Sequence, residues 1–178
     1  TTLREDVRDV TVEELSGFEG VVHLAALSND PIGELNPELT YEINLQATID
    51  LARKAKEAGV RRFVFASSCS MYGSAATEDL VGEEAPLRPL TAYAESKVRA
   101  EEALAKLGDG DFAPVFMRNA TAYGASPRFR FDIVLNNLSA WAYTTGKVMI
   151  MSDGTPWRPL VHAEDIARAA AAALTAPG

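Results

Sequence analysis

Apolar positions along this chain follow two rhythms. Short unbroken runs at Val21 to Ala26, Arg62-Phe63-Val64-Phe65-Ala66, Pro114-Val115-Phe116-Met117 and Val148-Met149-Ile150-Met151 read as four buried strands. Between them the spacing lengthens. Leu39, Ile43, Ala47, Leu51 and Ala55 recur near helical period from Pro37 to Ala58, and Gly59 supplies a stop. Thr91 suits the N-cap of a helix from Ala92 to Leu107 that Gly108 closes, and further helices are predicted from Phe131 to Thr145 and from Ala163 to Thr175. Apolar strands alternating with long helices predict an α/β fold, a doubly wound parallel sheet with helices on both faces.

In such sheets ligands lie beyond the carboxyl ends of the strands. Chemistry is therefore expected in Ala25–Asn36, Ser67–Tyr72, Asn119–Arg130 and Ser152–Arg158. Composition narrows the classes. The 178 residues carry 17 Lys and Arg against 25 Asp and Glu, a formal charge of -8. That balance argues against nucleic acid and against an anionic membrane surface as partners, since both call for a basic face. A phosphorylated small molecule remains compatible, because a few placed arginines can hold it. Cys69 is the one cysteine, and His23 and His162 lack companions at metal-ligand spacing, so neither a disulfide framework nor a metal site is expected. No apolar run reaches membrane-spanning length and no leader pattern opens the sequence, which makes the cytoplasm the default location.

Tyr93 and Lys97 stand one helical turn apart, on one face of the predicted Ala92–Leu107 helix. Alone the pair is a weak signal, arising by chance about one time in seven in a chain of this composition. Its chemistry is specific, however. A phenol titrates near pH ~10, so proton transfer at neutral pH asks for a shift of ~3 units, or ~4 kcal/mol. A lysine ammonium at ~4 Å supplies roughly that at an effective dielectric of ~20. Ser68 sits in a Ser-rich turn directly after a buried strand, where its hydroxyl can donate to a substrate oxygen beside Tyr93. Strand, serine and Tyr/Lys helix agree in position.

These residues carry a family resemblance. The chain resembles the extended short-chain dehydrogenases/reductases, specifically the NAD-dependent epimerase/dehydratase family of nucleotide-sugar epimerase type. Asp6-Val7-Arg8-Asp9 is similar to its adenine-side motif, His23-Leu24-Ala25-Ala26 to its fourth-strand motif, and Asn44 to the Asn of the following helix. Ser67 to Gly73 and Tyr93 to Lys97 match the serine and Tyr/Lys motifs, and Arg118 to Gly124 and Arg158 to Asp165 the later substrate-side segments. The resemblance covers essentially the whole chain and implies a Rossmann-like fold with NAD as cofactor, NADP left open. It implies catalytic roles for Ser68, Tyr93 and Lys97. Asp6, Val7, Ala25, Ser67, Tyr93 and Lys97 would face the cofactor, and Ser68, Thr121 and Arg158 a nucleotide-diphosphate sugar. It also implies a homodimer paired through the helices at Pro37–Ala58 and Ala92–Leu107. Asn44 is expected to hold backbone near the active strand, and His162 to pack or make a structural hydrogen bond.

The departures shape the rest. No glycine-rich phosphate loop precedes Asp6 and the family's C-terminal part has no counterpart, so the chain is expected to be a fragment. Residues 1–178 would form a partial dinucleotide-binding and catalytic domain, with the substrate-binding portion starting at about 119–160. Cofactor binding is expected to suffer accordingly. Cys69 and Ser70 stand where sugar dehydratases carry an acidic pair, which disfavours elimination chemistry. Cys69 itself is expected to be a small buried thiol. Thr121 replaces a common Asn and Pro159 a common Asp, which bears on the identity of the sugar. The leading expectation is an epimerase acting by transient oxidation, with Tyr93 as base and then acid. A net reductase or dehydrogenase is the alternative enzyme, and a non-catalytic dinucleotide sensor the alternative of another class.

Overall fold

The structure of this chain, a computed structural model, describes residues 4–28, 30–73, 80–155 and 157–176. Asn29 and Pro156, within two of the loops expected at the ligand edge, lie outside the described residues. Three strands, β1 (Gly20–His23), β2 (Arg62–Ser68) and β3 (Ala113–Asn119), form a parallel sheet in that order. Val22 pairs with Val64 and Val64 with Val115, so β2 is central. Its side chains show why. Phe63, Val64 and Phe65 are fully buried, the pattern of a strand covered on both faces.

The helices follow from their punctuation. Thr11 caps α1 (Val12–Leu15) in a reciprocal capping box with Glu14. After β1 come α2 (Asp30–Leu35) and α3 (Pro37–Tyr41), the latter capped by Asn36 and opened by its proline. The chain then widens into a π-helical turn, Glu42–Gln46, before narrowing again into α4 (Ala47–Glu57). The helix expected from Pro37 to Ala58 is therefore one rod carrying a π-bulge, a feature that often marks functional sites. Thr91 caps α5 (Ala92–Ala105). The core joins Leu51, Ala52 and Ala55 of α4 to Ala100 and Leu104 of α5, with Phe63, Phe65 and Phe112 between them.

Beyond β3 the chain makes β4 (Thr121–Tyr123), α6 (Val134–Thr145), β5 (Leu160–His162) and α7 (Ala163–Thr175). β4 and β5 pair in parallel as a separate two-stranded sheet, Ala122 opposite Val161. α7 packs across β1, β2 and β3.

One predicted strand is corrected. Val148 to Met151 forms no strand, and all four side chains are exposed, Met151 at 89%. Its apolar run has strand character, but a strand exists only where a neighbour offers a ladder, and none of the described residues does so. The helix expected from Phe131 begins instead at Val134, and Asn136 and Asn137 of its first turn donate back to the carbonyls of Arg130 and Phe131.

Candidate active site

The serine turn grows directly from the carboxyl end of β2. Ser68 leaves the strand in extended conformation and caps a 3-10 turn, Cys69–Tyr72. Its Oγ accepts the Ser70 amide at 3.2 Å and the Ser70 hydroxyl at 3.0 Å. Met71 anchors the turn, fully buried. Gly73 ends it at φ 74, where the returning Arg88 carbonyl lies so close that a Cβ would collide with it. Ser67, 4% exposed, has a hydroxyl without a hydrogen-bond partner among the described residues.

α5 brings the second half of the site. Tyr93, Lys97 and Glu101 recur every four residues along one helix face, and α5 packs on both β2 and the serine turn. Lys97 is 3% exposed. Its Nζ donates to the Ala66 carbonyl at 2.7 Å and lies 4.5 Å from the Phe65 ring centre and 5.6 Å from that of Tyr93. Burial pulls its pKa down to about 8, against the opposing pull of the Glu101 carboxylate. His23, at the end of β1, is also buried and lowered to about 4 by burial and by the Lys97 charge. It is held by Thr48 Oγ1 at 2.9 Å.

Arg118, on β3, ties these parts together. Its Nη2 meets Glu101 Oε2 at 2.7 Å and its Nε spans both carboxylate oxygens. Its Nη1 donates to the Tyr72 hydroxyl at 2.8 Å and to the Glu83 carbonyl at 2.7 Å. Serine turn, α5 and the loop between them thus share one guanidinium, whose planar fork suits such a junction.

The π turn places Asn44 against the chain beyond β1. Asn44 Oδ1 accepts the Leu27 amide at 2.8 Å and Nδ2 donates to the Leu27 carbonyl at 3.0 Å. This two-point clamp holds the segment that contains Ala25, which is exposed. The adenine-type motif forms a separate group. Asp6 receives the Arg8 side chain at 2.8 and 2.9 Å and the Arg8 amide at 3.0 Å, which holds its carboxyl at about 2. Arg8 also reaches Glu42 of the π turn at 2.6 Å. Val7 packs against the core and lines a hollow of about 190 Å³ with Gln46 and Asp50.

The later segments are joined to each other through β4 and β5. The Thr121 amide donates to the Pro159 carbonyl at 3.1 Å, and β4–β5 pairing sets Thr121 opposite Leu160. Arg158, exposed, lies near enough for its charge to act on Cys69. The Cys69 thiol is half-buried, and burial raises its pKa despite that charge. His162 caps α7 through Nδ1 and meets Tyr123 edge-on at 5.2 Å.

Ser67 and Ser68 thus close β2 where Lys97 Nζ reaches the Ala66 carbonyl with the Tyr93 ring beside it, Arg158 lies within charge range of Cys69, and Asp6 and Val7 sit beside the π turn. Reading the sequence missed Ser70, Glu101 and the role of Arg118. Glu101 had a signal, a charged residue in phase with Tyr93 and Lys97. Ser70 and Arg118 had none short of the fold.

Comparison with known proteins places the chain in a family. The sequence profile of the NAD dependent epimerase/dehydratase family matches residues 2–178. A UDP-glucuronate 4-epimerase of Thermodesulfobacterium geofontis is 31% identical over 170 residues, covering 92% of this chain and 50% of the relative. A UDP-glucose 4-epimerase of Bacillus subtilis is 29% identical, covering 96% and 55%. Among solved structures, MoeE5 in complex with UDP-glucose and NAD superposes with a TM-score of 0.84 at 32% identity, over 97% of this chain and 58% of that one. The chain spans about half the length of the curated relatives it matches. It belongs to the NAD-dependent epimerase/dehydratase family.

Proposed function

We propose that this chain carries the acid–base centre of a NAD-dependent nucleotide-diphosphate-sugar epimerase. The observation that carries the reading is Lys97: an ammonium buried between the end of β2 and the Tyr93 ring, its Nζ on the Ala66 carbonyl. Burying a lysine in a core is costly. A charge held there beside a phenol serves proton transfer better than it serves packing.

The local donors fit a dinucleotide. Lys97 has three N–H donors and spends one on Ala66, and the Ser67 hydroxyl, without a partner among the described residues, follows Ala66 in the chain. The chemistry NAD supplies when bound is reversible two-electron oxidation of a ring carbinol. Tyr93 takes the hydroxyl proton as the ring is oxidised and returns it when the opposite face of the ketone is reduced. Lys97 stabilises the phenolate through its charge, Ser68 donates to the reacting oxygen, and Arg158 meets the substrate diphosphate. Thr121 lines the sugar side. Cys69 and Ser70 provide no carboxylate for elimination, which favours epimerisation over dehydration. Two copies pair through the Pro37–Glu57 rod and α5.

UDP-glucose and UDP-glucuronic acid, tested with NAD, should be converted to their epimers without net reduction of cofactor. Tyr93→Phe should lower kcat by about 10²–10⁴-fold. A stoichiometric absorbance change at the nicotinamide band would identify a dehydrogenase instead. Unchanged turnover in Tyr93→Phe would overturn the acid–base assignment.

A further inference from the structure

The serine turn contains a second hydroxyl to which the mechanism gives no task. Ser70 donates twice to Ser68 Oγ, through its amide at 3.2 Å and its hydroxyl at 3.0 Å. A serine oxygen has two lone pairs and one proton. With both lone pairs filled from Ser70, the proton is the part of Ser68 left to offer, and among the described residues no acceptor other than Ser70 Oγ itself lies against it. We propose that Ser70 is a positioning residue that fixes Ser68 as a hydrogen-bond donor toward the reacting oxygen of the sugar. The inference rests on the epimerase reading above.

Direction is the point of the device. A ring hydroxyl can donate or accept, but the keto-sugar formed on oxidation can only accept. If Ser68 spent its proton on Ser70, a lone pair would face the ketone oxygen and repel it. The Ser70 amide cannot reverse, since an N–H only donates, so one lone pair of Ser68 is always taken. Adding the Ser70 hydroxyl completes a relay, Ser70 to Ser68 to substrate, in which each bond polarises the next. The turn supports this geometry without freedom to drift: Met71 is buried and Tyr72 is held by Arg118. Cys69, between the two serines, shares the 3-10 turn, but no hydrogen bond links its thiol to either of them.

The test compares Ser70→Ala and Ser70→Thr with Ser68→Ala and Tyr93→Phe. Ser70→Ala should lower kcat by about tenfold, the worth of one hydrogen bond, with KM unchanged, and Ser70→Thr should restore it. Calorimetry without nicotinamide cofactor gives a second reading. Ser70→Ala should weaken binding of a nucleotide 4-keto-sugar by about five- to tenfold while leaving UDP-glucose within about twofold, because only the ketone requires a donor. A Ser70→Ala protein with wild-type kcat and ketone affinity would overturn the proposal, as would a Ser70→Thr protein no better than Ser70→Ala. A rise in KM alone would also overturn it, by making Ser70 a direct substrate contact. If Tyr93→Phe is equally unimpaired, the epimerase reading falls; if Tyr93→Phe is inactive, Ser70 alone falls, and the calorimetric comparison stands apart from both.

Discussion

Arg118→Met keeps an apolar stem like that of the arginine and removes every donor. The Glu101 carboxylate, whose side chain is 7% exposed, would then be buried without its cation, and Tyr72 and the Glu83 carbonyl would lose their shared partner. Breaking a buried pair from one side costs about 3–5 kcal/mol, because the remaining charge keeps its desolvation penalty. The Arg118 side chain is 23% exposed, so water can solvate the vacated edge, and the lower end applies, about 3 kcal/mol. With a urea m-value of about 2 kcal/mol/M the unfolding midpoint should fall by about 1.5 M. A domain of this size has about 5–15 kcal/mol to lose, so the variant should remain folded and measurable. Glu101→Gln combined with Arg118→Met should cost less than the sum of the two by about 1–2 kcal/mol, since the stranded charge is gone. Strict additivity, or an Arg118→Met midpoint within about 0.3 M of the parent, would refute the ion pair as the tie between β3, α5 and the serine turn.

Lys97 and His23 give two further predictions. The folded chain releases the Lys97 proton near pH 8 and the unfolded chain near 10.5, so stability should climb between those values, by about 3 kcal/mol in all. Lys97→Met should abolish that climb and raise stability at pH 7 by about 1–3 kcal/mol while removing turnover; denaturation across the alkaline range checks it, and a destabilised Lys97→Met would contradict it. His23 gives a slope of the same sign, displaced into acid. Its folded value of about 4 lies below the ordinary 6.5, so the unfolded state gains a proton first and stability should fall by about 3 kcal/mol as pH drops from 6.5 to 4. His23→Gln should flatten that window, and an unchanged acid slope would show that other groups set it.

How much of this was legible in the sequence depended on distance along the chain. β2 was read from its unbroken apolar run and α5 from Thr91, since both signals are local. The Tyr93–Lys97 pairing was equally local. The π turn at Glu42–Gln46 was not, because one extra residue barely disturbs a hydrophobic period of 3.6. β4 and β5 were missed because three residues cannot establish an alternation, and their pairing joins positions some forty residues apart. Val148 to Met151 misled for the reverse reason, with strand composition but no neighbour among the described residues. The Arg118 contacts reach Tyr72, Glu83 and Glu101, three segments that only the fold brings together.

The π turn also fixes an angular offset. Each residue of an ordinary helix advances the face by about 100°, so one inserted residue turns everything before it relative to everything after. Ahead of the turn, Tyr41 reaches Glu95 at 2.8 Å; within and beyond it, Asn44 grips Leu27 and Thr48 meets His23. A uniform helix could keep one of these sets in register but would rotate the other out of reach. The inserted residue thus acts as a phase shift, letting a single rod address the outer helix and the inner strand at once. Deleting it would make a more regular helix and a misaligned site.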